Sequence, residues 1–171
     1  MIIYKIIFSN FRQFFGEEEL SLAYDEKKNV TLVHGLNNFG KTTILNAILW
    51  AFCQKFTENF DQPHLLVNSE AVKLGVSKCY VEVDFEVDGK NFILRRTFDS
   101  ADLKSRATIR EFSEGTLKAP LPDPELVING FLPKEMAEYF FFAGEGSSAI
   151  NTGSGASDLT QALRNILGFK V

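Results

Sequence analysis

Gly35-Leu36-Asn37-Asn38-Phe39-Gly40-Lys41-Thr42 lies between a β-branched run, Val30-Thr31-Leu32-Val33-His34, and a helical stripe of Ile44, Ala47, Ile48, Ala51 and Phe52. It meets every fixed position of the G-x-x-x-x-G-K-[ST] pattern, and the strand-then-helix surroundings are the context that gives the pattern its meaning. Each fixed residue has a physical task. The glycines let the backbone wrap closely enough for successive N–H groups to point at phosphate oxygens. The helix starting near Lys41 adds the positive end of its dipole. Lys41 is placed to reach the outer phosphates as a point charge, and the Thr42 hydroxyl to ligate Mg²⁺, a cation that prefers hard oxygen. Together they predict binding of a magnesium nucleoside triphosphate, with Gly35 to Thr42 and the adjoining Thr43 as its contacts.

Outward from this loop, Ile2, Ile3, Ile6, Ile7 and Phe8 open the chain as a β-rich run, and Leu20, Leu22 and Tyr24 alternate as a half-buried strand. Val30 to His34 reads as a central buried strand. Cys79 to Val87 alternates strictly, with Val81, Val83, Phe85 and Val87 opposite Glu82, Asp84 and Glu86. Asp88-Gly89 then separates it from Phe92-Ile93-Leu94, the signal for a type I′ hairpin inside a β-rich region of residues 77–112. A further strand is expected over Thr108 to Phe112, before Pro120, Pro122 and Pro124 break the pattern. A short helix is expected after Leu132-Pro133, then a buried strand at Tyr139 to Phe142. Gly144 to Ser157 reads as a mobile loop, and Asp158 to Leu167 as a last helix stopped by Gly168.

At 171 residues, 45% hydrophobic, the chain is long enough to bury one substantial core. No apolar run approaches the roughly 20 residues of a membrane span, Met1 to Lys5 lacks the plan of a signal peptide, and Cys53 and Cys79 lack paired spacing. A reducing cytoplasm is the expected home. The net charge of −4 opposes a globally basic nucleic-acid binder, yet Arg95, Arg96, Lys104, Arg106 and Arg110 could form a local basic patch. An ordinary solvated surface is the plainer reading of these cations. Asp84 and Glu86 suggest an acidic residue that activates water, but such a residue ends a strand buried on both faces, and this strand has a wet face. No other segment offers four apolar residues followed by an acidic pair, so no catalytic residue is assigned. His34 and His64 read as structural.

The opening Ile7-Phe8-Ser9-Asn10-Phe11-Arg12, the loop at residues 35–42, and Thr43 through Ile48 together resemble the SMC/RecF/RecN superfamily of ABC-type ATPases. Leu66-Val67-Asn68, Leu132-Pro133, Phe140-Phe141-Phe142-Ala143-Gly144-Glu145 and Leu163 to Gly168 point further, to the DNA sulfur-modification ATPases of the DndD type and related phage-defence ATPases. The resemblance implies an α/β P-loop NTPase, the N-terminal lobe of an SMC-type head, with an antiparallel β subdomain and a mixed central sheet. It implies ATP rather than GTP, in keeping with the lack of a guanine-reading Asn-Lys-x-Asp motif. It also implies that Arg12 approaches the phosphates, and that residues 140–145 stand where the Q-loop holds Mg²⁺ and the attacking water. Ala143 occupies the place of the usual Gln or Asp there and cannot ligate, which weakens an expectation of turnover. Partners implied are a C-terminal lobe carrying signature motif, Walker B and switch histidine, and a second head. Half a head is therefore expected, inactive alone and an ATPase when completed, in DNA repair, DNA modification or phage defence. The rival expectation is a nucleotide-dependent assembly or DNA-binding module with little turnover. A small kinase would need a lid and acceptor pocket, for which the hairpin-rich middle is not built.

Overall fold

Alternating apolar residues form a stable sheet only when neighbouring strands satisfy their backbone groups. The computed structural model describes residues 1–36, 39–57, 60 and 64–141. Strands β1 (Ile2–Ser9) and β2 (Glu17–Ser21) come first, followed by helices α1 (Lys41–Cys53) and α2 (Ser69–Lys73). Strands β3 (Lys78–Val87), β4 (Lys90–Asp99), β5 (Lys104–Ser113) and β6 (Thr116–Pro120) then lead to α3 (Pro124–Phe131), a 3₁₀ turn at Lys134–Met136 and α4 (Ala137–Phe140). Among the described residues the strands make one sheet in the order β2-β1-β3-β4-β5-β6, every pair antiparallel.

The β3–β4 hairpin follows from its turn residues. Asp88 at φ 51° and Gly89 at φ 74° are both left-handed, the type I′ geometry that matches strand twist. Val87 consequently faces Lys90, and the register runs unbroken to Lys78 opposite Asp99. Val81, Val83 and Phe85 are buried on one face with Leu94 and Ile109, and α1 covers that face through Ala47, Trp50, Ala51 and Phe52. Phe52 meets Phe85 edge-on at 5.1 Å, and Phe11 stacks on Trp50 at 5.4 Å. Burying each such ring stabilises the fold by about 1.5–3 kcal/mol.

Four expectations need correction. Val30 to His34 is not a strand: the segment is irregular, with Val30 82% and Leu32 88% exposed. β-branched residues suit a sheet, but none of the described strands pairs with them; Ala23 N–H donates to Thr31 Oγ1 at 2.8 Å. The sheet is accordingly antiparallel throughout rather than mixed. Residues 137–140 are helical, not a strand, and Phe140 is exposed, because Pro133 starts a 3₁₀ turn that α4 continues. The proline-rich stretch holds structure as well as breaks: Pro120 ends edge strand β6 and Pro124 begins α3. The Gly144–Ser157 loop and the Asp158–Leu167 helix lie outside the described residues.

Candidate functional site

Gly40 starts α1 at φ 89°, a conformation open to glycine, and the Phe14 ring lies 3.4 Å from where a Cβ would stand. Among the described residues no side chain caps the helix, and its first turn holds no acidic residue. The first intrahelical bond runs from Ile44 N–H to Gly40 C=O at 3.0 Å, which leaves the amides of Lys41, Thr42 and Thr43 as end-of-helix donors. That donor set, with an ammonium beside it, fits a phosphate. Lys41 Nζ donates to the carbonyls of Gly35 at 2.7 Å and Leu36 at 2.8 Å, so its charge lies within the loop's curve. Thr42 is exposed, Gly35 is half-buried, and Leu36 and Phe39 each expose 72% of their surface. Asn37 and Asn38 lie outside the described residues. Among the described residues no cluster of three His, Cys, Asp or Glu could hold a metal. The Thr42 hydroxyl is the group the motif offers to Mg²⁺ beside phosphate oxygens.

Arg12 belongs to a tightly folded connection between β1 and β2. Asn10 (φ 46°) and Arg12 (φ 54°) are both left-handed, and Gly16 N–H donates to Asn10 Oδ1 at 2.9 Å. Arg12 N–H donates to Leu66 C=O at 2.8 Å, and its Nη1 to Leu65 C=O at 2.9 Å. The guanidinium lies 4.7 Å from the centre of the Phe60 ring. An open groove of about 640 Å³ runs beside it, lined by Arg12, Gln13, Leu65, Val67, Asn68, Ser69 and Val72.

Two residues that sequence reasoning passed over join this connection to α1, and a third lies on the helix itself. The hydroxyl of Thr43, itself buried, donates to Gln13 Oε1 at 2.6 Å. Phe14 fills the space beneath Gly40 and stacks on Phe8 at 4.3 Å. Asn46 is wholly buried on the apolar side of α1. A polar residue interrupting the Ile44–Ala47–Ile48 stripe is the signal that could have found it. Gln13 and Phe14 carried no such signal.

The other candidates separate. Asp84 and Glu86 lie on the outer sheet face, Asp84 with Lys5 at 3.2 Å and Glu86 bound by the Tyr4 hydroxyl. Burial raises the Asp84 carboxyl above its ordinary value despite Lys5. The basic patch loses Arg96, which points to the opposite face and is fully buried. Arg95 pairs with Glu82 at 2.7 Å and Arg106 with Asp102, while Lys104, Arg106, Thr108 and Arg110 take alternate positions of β5. His34 and His64 are exposed, not built into the core. Of the Q-loop-like segment only Phe140 and Phe141 are described, so Ala143 lies outside. No helix among the described residues is long and apolar enough to cross a membrane.

Among curated proteins none matches this chain. Among solved structures, one from work on the structural biochemistry of ATP-driven dimerization and DNA-stimulated activation of SMC ATPases is similar over 93% of this chain and 99% of its own, with TM-score 0.63 and 14% identity. The SMC head domain from Thermotoga maritima matches 70% of this chain and 39% of its own, with TM-score 0.43 and 23% identity. The first likeness shows that this chain shares the fold of that SMC ATPase structure. A family model described as an AAA domain matches residues 5–162, which span the Gly35–Thr42 motif, Arg12 and all of the sheet but Ile2–Tyr4, and the chain belongs to that AAA domain family.

Proposed function

We propose that this chain is the Mg-ATP-binding lobe of an SMC-type ATPase head, completed by a C-terminal lobe and paired with a second head. One observation carries the reading: the uncapped start of α1 at Gly40, with Lys41 curled into the loop and Thr42 exposed beside it. The α1 amides and Lys41 hold phosphate oxygens, and Arg12 adds positive charge from the β1–β2 connection. Mg²⁺, held by Thr42, neutralises charge on the phosphates when bound. The neighbouring groove at Arg12 and Gln13 has room for sugar and base.

Two features support a C-terminal lobe as partner. Val30 and Leu32 are apolar, β-prone and almost fully exposed directly before the loop. Strands from another lobe would give that segment the strand partners that it lacks among the described residues. In addition, Asp84 and Glu86 are engaged on the outer face, so the acidic residue that activates water comes from elsewhere. The biological setting we assign is DNA repair, DNA modification or phage defence in the cytoplasm, as in the DndD type.

Calorimetric titration of Mg-ATP tests this, with Lys41→Ala as control. Saturable binding by the wild type that the variant loses supports the reading. Absence of binding, both alone and with the C-terminal lobe supplied, overturns it. Turnover appears only in the completed head.

A second reading, a nucleotide-dependent DNA-binding module with little turnover, is favoured by the alternate cations of β5. Lys104, Arg106 and Arg110 share one face of β5, the first two about 6.8 Å apart and the last two about 13.6 Å apart, with Thr108 between them. A double Lys104→Ala, Arg110→Ala variant that loses salt-sensitive duplex binding, with Mg-ATP affinity unchanged, would support it.

A further inference from the structure

Asn46 is wholly buried, and its amide bonds both to Thr42 and to Thr57. Its Nδ2 donates to Thr42 C=O at 2.9 Å and to Thr57 Oγ1 at 3.0 Å, while its Oδ1 accepts from Thr57 N–H at 2.7 Å. An apolar side chain would fill this core position without the desolvation of an amide. What the amide adds is a three-bond tie between the first turn of α1 and Thr57. From there Thr57 C=O accepts from Phe60 N–H at 3.0 Å. The Phe60 ring, itself buried, carries the Arg12 guanidinium at 4.7 Å, and Arg12 Nη1 reaches Leu65 C=O.

We propose that Asn46 is a positioning residue: through Thr57 and Phe60 it fixes the place of Arg12 relative to Thr42 and Lys41. Its bearing on nucleotide rests on the function proposed above; its structural content does not. The tie makes phosphate-binding loop and arginine one unit, although 30 positions separate Arg12 from Thr42. Satisfied buried networks of this kind rigidify the groups they connect.

The experiment combines NMR of the whole chain with nucleotide titration. Packed over the Phe60 ring, Arg12 Hε and Hδ resonate upfield of their random-coil positions. Thr57→Val keeps the side-chain volume and the backbone bond but deletes the hydroxyl; Thr57→Ser restores it. Asn46→Ala removes the whole tie, and the Thr57 pair decides the matter if that variant does not fold. In folded Thr57→Val the Arg12 resonances move toward random coil, and in Thr57→Ser they return. Mg-ATP affinity falls about tenfold in Thr57→Val. It falls no further when Thr57→Val is added to Arg12→Ala, since a shared route makes the two effects non-additive. Arg12 resonances that stay in place in folded Thr57→Val overturn the proposal, as do additive losses of affinity in the double variant. A wild type that never binds Mg-ATP overturns the proposed function, while the Arg12 resonances still decide whether Asn46 positions Arg12.

Discussion

Arg96 enters the core from β4 and meets Glu125 of α3 with both terminal nitrogens, Nη1 at 2.7 Å and Nη2 at 3.2 Å. Its Nε donates to Ala51 C=O near the end of α1 at 2.8 Å. One guanidinium therefore joins sheet, α1 and α3. A fully buried arginine is tolerated only when its charge is paired and its donors are used.

Glu125→Ala would leave that charge without its partner. A loss of about 2–4 kcal/mol in urea unfolding at pH 7 is expected, somewhat under the figure for a fully buried pair because Glu125 is half-exposed. Burial alone would raise the Glu125 carboxyl, but the bonds and charge of Arg96 outweigh it and hold the pKa below its ordinary 4.5. A depressed folded-state pKa stabilises above the unfolded value, and that stabilisation is lost as pH falls through the folded one. The gap between wild type and variant should thus be full at pH 7 and shrink as pH falls below the ordinary carboxylate value and through the depressed one.

Arg96 also shows where sequence reading stops. Beside Arg95 it looked like part of a surface patch, but strand alternation puts successive residues on opposite faces. The same alternation made β3, its turn and β4 legible, because Val81, Val83 and Phe85 carry their own face assignment. α1 was legible from the loop and the apolar stripe. What misled was the β-branched run at Val30 to His34, since propensity states what a segment suits and not whether a partner strand is present. Of the site, Lys41 and Thr42 follow from a local motif. Gln13, Phe14 and Asn46 act across 30, 26 and 11 positions, to Thr43, Gly40 and Thr57, and no local pattern encodes such pairings.

Gly40→Ala tests the close approach beneath the loop. The substitution forces alanine to φ 89° and sets its Cβ 3.4 Å from Phe14 Cζ. A loss of about 1–2 kcal/mol is expected from the left-handed backbone. Mg-ATP affinity should fall as well, because the first α1 amides turn away. Because 3.4 Å from the ring is close to an ordinary contact, the cost lies in the backbone, and Phe14→Leu in the same background should recover little of the stability or the affinity. Thermal unfolding and calorimetry on the single and double variants separate the two effects.

Both thiols should be inert in the folded chain. Burial pushes Cys79 up to about 12, against a hydrogen bond from the Phe98 backbone that pulls it down. Burial raises Cys53 too, although Lys55, Lys134 and Arg96 oppose it. Since the thiolate is the nucleophile, neither should react with a disulfide reagent at pH 8 within minutes. Denaturant should release two equivalents together. One fast equivalent without denaturant would show that α1 or the start of β3 opens locally.

Asp84→Asn separates an outer-face carboxylate from a residue of the nucleotide site. Burial raises the Asp84 pKa, Lys5 lowers it less, and Oδ1 has no hydrogen-bond partner among the described residues. A raised folded-state pKa means that ionisation opposes folding, so the penalty is full above that pKa and vanishes as acid protonates the group. The amide removes this penalty but also takes one anion from Lys5, which keeps Glu19 at 3.7 Å. These opposing effects leave the variant within about 1 kcal/mol of wild type at pH 7. Its standing against wild type should decline in acid, where wild type has already shed the charge. Mg-ATP affinity should not change, because Asp84 lies on the sheet face opposite the one α1 covers. A tenfold loss of affinity in a folded Asp84→Asn chain would instead place this carboxylate in the nucleotide site and return β3 to candidacy as the strand that activates water.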